Sequence, residues 1–160
     1  MNRKHLFGIG IVVIGAAVLI VLLIAAIHVK AARQFSQKHR VQNFVVQLLE
    51  TTVGKLDTGS VVIVYARFEN PGSTELDLPR ESFRLAGRSP VTNGTQAALI
   101  KVPANGVLEK EALSYAIGDE VFAGALTLEV GRDQLLVKNA KPWTQRLPVG
   151  QFVTFRSRDW

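Results

Sequence analysis

The chain has 160 residues, with 19 Lys or Arg against 13 Asp or Glu, a formal charge of +6, and no cysteine. The lack of cysteine excludes a disulfide framework and lipoprotein anchoring. Residues 1–40 hold Arg3, Lys4, Lys30, Arg33, Lys38 and Arg40 and no acid, so the remaining 13 bases and 13 acids cancel and a nucleic-acid-binding domain loses its electrostatic basis.

Residues 6–27 contain no charged or strongly polar side chain. As a helix they would span about 33 Å, enough for a hydrocarbon core of about 30 Å. A transmembrane helix over 6–28, after a basic flank at 1–5, is the expectation. A cleaved signal peptide shares the basic start and has a small-residue site at Val29-Lys30-Ala31, but its apolar region runs only about 7 to 15 residues. Gly8 and Gly15, seven apart, would line one helix face suited to packing in a membrane complex. Gly8-Ile9-Gly10 is no phosphate loop, since no Lys-Ser/Thr follows.

Residues 29–40 read as a basic juxtamembrane linker that could continue the helix for two or three turns. Lys30, Arg33, Lys38 and Arg40 are candidate contacts for anionic lipid headgroups, each worth about 1 kcal/mol near an anionic leaflet; the plainer reading is an ordinary basic flank. Two bases before the apolar run and four after it place the domain in the cytoplasm by charge bias alone. A short basic amino terminus before a long apolar run is instead the layout of a signal anchor. The expectation is an exported domain, N-in/C-out, with the cytoplasmic orientation as its alternative.

Residues 41–160 read as one small all-β domain. Phe44, Val46 and Leu48 alternate in a strand at 41–53, where Val45, Leu48 and Leu49 also suit a helix. Residues 60–69 form the clearest strand, apolar on both parities and so expected at the centre of a sheet. Asn70-Pro71-Gly72-Ser73 ends it. Further strands are expected at 75–78, 82–85, 95–102, 107–116, 121–130, 134–139 and 151–155, with Phe122, Leu126, Leu128 and Val130 on one buried face. Short strands at this spacing, separated by Gly, Pro and Asn, predict an antiparallel sandwich.

The segment SVVIVYARFENPG at 60–72, followed by LDL at 76–78, SFRL at 82–85 and VFAGALTL at 121–128, resembles the bacterial immunoprotective extracellular immunoglobulin-like domains. Asn70-Pro71-Gly72, LDL at 76–78 and VPANG at 102–106 are similar to the water-stress domain of late embryogenesis abundant proteins. Both resemblances imply an immunoglobulin-like antiparallel β-sandwich over about 41–139. Neither family carries a defined catalytic centre, so no functional residue is implied.

His5, His28 and His39 are the only histidines, all before the domain. Without His or Cys the domain offers no Ser-His-Asp or Cys-His arrangement and no ordinary zinc ligand set. Glu75 with Asp77 and Glu109 with Glu111 are expected to share strand faces, and Asp119-Glu120 to lie in a turn; such pairs serve glycosidases or calcium sites, but on a β-domain surface they usually supply solubility. Residues 138–160 hold both tryptophans, with five bases and one acid. Trp143, Arg146, Arg156, Arg158 and Trp160 are therefore candidate partner contacts, unless Trp143 and the last strand complete the core.

These readings lead to an expected non-enzymatic, single-pass membrane protein of the cell envelope that displays an immunoglobulin-like interaction domain. No cofactor, metal or nucleic acid is expected. The alternatives are an accessory or assembly subunit of a larger membrane complex and a stress-protective envelope protein.

Overall fold

The computed structural model describes residues 37–91, 97–140 and 147–156. The expected transmembrane helix, Gly8, Gly15, Lys30, Arg33, Trp143, Arg146, Arg158 and Trp160 lie outside them. Among the described residues no helix is long and apolar enough to cross a membrane.

The described chain is all-β. Its strands are β1 (Lys38–Val41), β2 (Phe44–Leu56), β3 (Gly59–Asn70), β4 (Leu76–Pro79), β5 (Phe83–Leu85), β6 (Leu99–Val102), β7 (Gly106–Ile117), β8 (Leu126–Val130), β9 (Asp133–Lys138) and β10 (Phe152–Phe155). A 3-10 turn at Arg80–Ser82 and one short helix, α1 (Asp119–Ala123), interrupt them. All pairings are antiparallel. β2, β3 and β7 are neighbours in that order, with β1 and β10 both on the far edge of β2; β4 pairs β6, and β8 lies between β5 and β9. One core draws on all three sheets, an arrangement consistent with a β-sandwich.

Strand β3 sits centrally, as its sequence predicts. Its even positions Val62, Val64, Ala66 and Phe68 are fully buried, while Val61, Ile63, Tyr65, Arg67 and Glu69 are half-buried on the other face. Phe68, Phe44 of β2 and Phe83 of β5 form an aromatic trio with centroids 5.3–6.5 Å apart, in tilted or edge-on geometry. Buried Tyr115 of β7 donates its hydroxyl to the Phe83 carbonyl at 2.9 Å, and burial raises its phenol pKa far above the ordinary value. The large sheet and β5 are thus joined by both rings and a polar bond.

Three buried polar side chains satisfy backbone carbonyls around the strands. Asn70 Nδ2 faces the carbonyls of Thr74, Val102 and Pro103 at 2.8–3.2 Å, and its Oδ1 accepts the Gly72 amide at 2.9 Å. It therefore fixes the β3–β4 loop against the β6–β7 turn. Arg80, 7% exposed, donates to the carbonyls of Ala97 and Ala112 and pairs with Glu111. Together with the bond from the Val91 amide to the Ser114 carbonyl, this covers part of the free edge of β7, which would otherwise offer unpaired backbone groups to another strand. Lys138 donates to the carbonyls of Gly124 and Asn139. Its burial lowers the ammonium pKa.

Two expectations are corrected. Residues 38–40 are not a helical continuation but most of β1, which turns through Gln42-Asn43, with Gln42 at φ 50°, and pairs with Phe44–Gln47. Backbone pairing with β2 and burial of Val41 hold this basic segment extended. Nor is 121–130 one strand: Asp119–Ala123 is helical, between Gly118 and Gly124. Phe122 is buried from that helix, whereas Leu126, Leu128 and Val130 are buried from β8.

Asn70→Ala removes the amide that several buried carbonyls share. We expect a loss of about 2 to 3 kcal/mol, read as a lower urea midpoint in the β-sheet circular dichroism of the full chain in mild detergent.

Candidate functional site

The outer face of the five-stranded sheet is shaped by two irregularities at the same level. In β2, Leu48 lies opposite Ala66 and Glu50 opposite Tyr65, so Leu49 is an extra residue. In β7, Leu108 lies opposite Phe68 and Glu111 opposite Ala66, so Glu109 and Lys110 together face Arg67. A bulge reverses which parity faces the core. Thus Phe44, Val46 and Leu48 are buried before the β2 bulge, but Thr51 and Val53 after it. Without Leu49 as an extra residue, Glu50 would share the parity of Leu48 and point into the core.

Carried outward, Glu50 meets two cations. Lys110 Nζ lies 2.5 Å from Glu50 Oε1 and 4.2 Å from the centre of the Tyr65 ring between them, and Arg156 Nε lies 3.2 Å from Glu50 Oε2. The Lys110 hydrogen bond, with a smaller contribution from Arg156, holds the Glu50 carboxyl below its ordinary range against the opposing effect of burial. It is therefore an ionised anchor for cations at neutral pH, not a proton donor. One step along the sheet, Arg67 Nη2 donates to Glu109 Oε1 at 3.4 Å, while its Nε lies 3.3 Å from Glu109 Oε2 without hydrogen-bond alignment. Lys38 Nζ reaches Glu69 Oε2 at 2.6 Å and lowers its pKa.

Pairing in β2 also gathers residues that are distant in sequence. β1 covers Phe44–Gln47 and β10 covers Thr51–Gly54 on the same edge, so the end of β10 points along that edge toward the start of β1. Lys38, Arg40 and Arg156 are consequently on one side of the molecule. Along the sequence, Lys38 and Arg40 belong to the basic flank and Arg156 to a separate tail. The other members of both sets fall outside the described residues.

The last strand is held by bonds from the Lys55 amide to the Gln151 carbonyl and from the Gly150 amide to the Lys55 carbonyl, and by contact between the Thr52 and Thr154 hydroxyls at 2.8 Å. Gly54 has a steric role. A Cβ there would overlap the Phe152 ring, which lies across it. Phe152 remains 55% exposed, beside Leu56 at 41% and near half-buried Val61.

The carboxylate pairs have cationic partners. Lys101 lies 3.0 Å from Glu75 and 3.6 Å from Asp77, and Lys55 lies 2.6 Å from Asp119. The Glu109–Glu111 expectation is corrected, because the bulge separates them: Glu109 meets Arg67 on the outer face and Glu111 meets buried Arg80. Asp119 and Glu120 occupy the first turn of α1 rather than a turn between strands. Among the described residues, no group of three or more His, Asp or Glu is placed to hold a metal ion.

Sequence reasoning missed Glu50, Tyr65, Arg67, Glu69 and Lys110. The alternation of Tyr65, Arg67 and Glu69 with Val64, Ala66 and Phe68 was an available signal for one half-wet face, and the broken alternation at Leu48-Leu49 was one for the β2 bulge; the β7 bulge had none. No family model, curated protein or solved structure matches this chain.

The depressed Glu50 pKa sets the sign of a pH effect. Its contribution is present above the ordinary value of 4.5 and is lost as pH falls through the lower folded value. Glu50→Gln should cost about 1 kcal/mol at pH 7, and the gap from the parent chain should close under acid conditions. Urea denaturation at pH 7 and pH 3 checks this; a gap that is constant or widens in acid contradicts the assignment.

Proposed function

We propose that this chain is a non-enzymatic single-pass membrane protein that holds an immunoglobulin-like β-sandwich at a membrane surface as an interaction module. The observation that carries the reading is the apolar run at 6–27, which is followed after only ten residues by β1. Such a short connection keeps the sheet close to the bilayer.

The immunoglobulin-like assignment is supported by connectivity. β2–β3–β7 would correspond to strands A, B and E, and β5–β8–β9 to C, F and G, with β3–β7 and β5–β8 joining strands that are not consecutive. The resemblance to bacterial immunoprotective extracellular domains is in keeping with this order. A binding role without catalysis is supported by the absence of Cys, and of any histidine but His39 of β1, from 38–160 and by the engagement of Glu75, Asp77, Glu109, Glu111 and Asp119 in ion pairs. The expected partners are the bilayer and a protein meeting the sheet face or the aromatic-basic tail. The second reading, an accessory subunit of a membrane complex, is favoured specifically by the seven-residue spacing of Gly8 and Gly15, which a helix over 6–28 would bring to one face.

In membranes, the full chain should resist alkaline carbonate extraction, and protease added to intact spheroplasts should remove the β-domain. Release by carbonate contradicts membrane spanning, while protection until lysis reverses the orientation. Comigration with other membrane proteins after mild solubilisation would favour the subunit reading over the stand-alone one.

A further inference from the structure

Residues 41–160 are neutral, and β1 adds Lys38 and Arg40 to one face of the fold they form. On the outer face of the five-stranded sheet, Lys38, Arg40, Arg67, Lys110 and Arg156 oppose only Glu50, Glu69 and Glu109. The net charge of that face is +2. The excess has a structural cause: Glu50 serves two cations at once, and Arg40 has no carboxylate partner among the described residues. By contrast, the exposed or half-buried charged positions in the strands of the smaller sheets are Asp77, Glu129 and Asp133 against Arg84 and Lys101, a net −1.

Two further observations point the positive face toward lipid. First, β1 belongs to this sheet, and ten residues at most about 3.6 Å each separate it from the apolar run. A tether of about 36 Å is short enough to bring the face onto the bilayer. Second, the same face carries the exposed Phe152 ring, laid flat by Gly54, beside Leu56. Cations toward one end of the face, with an exposed aromatic and an aliphatic side chain toward the other, match a headgroup layer, where bases meet phosphate and rings enter the acyl boundary. A second copy fits less well, since like faces of +2 repel.

We infer that the outer face of the β1/β10–β2–β3–β7 sheet docks on the anionic surface of the membrane that anchors the chain, leaving the smaller sheets turned away to meet a partner. This deepens the membrane-display reading and rests on it. Lys38, Arg40 and Arg156 then act as one lipid-facing set, although more than a hundred residues separate the first from the last.

The cysteine-free sequence permits a clean test. Single cysteines at exposed Thr154 on the proposed face and at exposed Gln134 on β9, each carrying a small fluorophore, are placed in the full chain. The chain is then reconstituted, at low protein density, in vesicles of phosphatidylcholine alone or mixed equally with phosphatidylglycerol, containing a headgroup-level nitroxide lipid. Quenching at Thr154 should exceed that at Gln134 several-fold in the anionic vesicles, and the contrast should shrink in the neutral ones. Arg40→Gln and Arg156→Gln should each reduce the docked-to-undocked ratio about fivefold.

Equal quenching at both positions, or greater quenching at Gln134, overturns the proposal while leaving membrane anchoring intact. So does a Thr154→Cys chain, left unlabelled, that links to a second copy while the labelled chain shows no lipid quenching, which would assign the face to self-association. A chain that fails to float with the vesicles removes membrane anchoring itself, and the docking proposal with it.

Discussion

The arrangement depends on a parity change in the middle of β2. Leu49 is accommodated as an extra residue, so a strand that buries even positions through Leu48 buries odd ones from Thr51 onward. A regular strand would force a choice between placing Glu50 in the core and turning Phe44, Val46 and Leu48 toward water. Both alternatives cost several kcal/mol, through an uncompensated buried charge or through lost apolar burial. The matching irregularity in β7 sends Lys110 to the same face. The two shifts therefore create the Glu50–Lys110 pair across Tyr65, and that pair gives Arg156 its binding point at the end of β10.

What the sequence made legible follows from the range of the interactions involved. β3 was readable because β-branched and aromatic residues occupy both parities, the pattern of a strand with neighbours on both sides, and Asn70-Pro71-Gly72 marks its end. β10 was readable as a strand, but its pairing with β2 was not: the Arg156–Glu50 contact spans 106 positions. At Leu48-Leu49 the alternation breaks, which is why a helix competed there; the break was the bulge itself. β1 was hidden by composition, since Lys-His-Arg has little strand preference and is held extended by hydrogen bonds to β2. Around Phe122 the apolar spacing was right by coincidence, because a helical turn and a strand can both bury that ring.

The same range argument applies to the surface. Along the chain, the basic residues after the apolar run and those of the tail are separate clusters with separate readings. In the fold, two strands laid end to end on one edge of β2 merge their described members. Lys38 and Arg40 of β1 thereby give one face of an otherwise neutral fold its positive excess. The buried polar groups Asn70, Arg80 and Lys138 have a different task, since each satisfies backbone carbonyls in the loops or along the edge of β7.

The central claim is the reversed parity of β2, and cross-strand backbone nuclear Overhauser effects of the isotopically labelled full chain in micelles test it most directly. The account predicts contacts pairing Leu48 with Ala66, Glu50 with Tyr65 and Val53 with Val62, leaving Leu49 without a partner on β3. Contacts pairing Leu49 with Tyr65 and Glu50 with Val64 would show an unbroken strand. That result would remove the Glu50 anchor from the outer face and contradict the account.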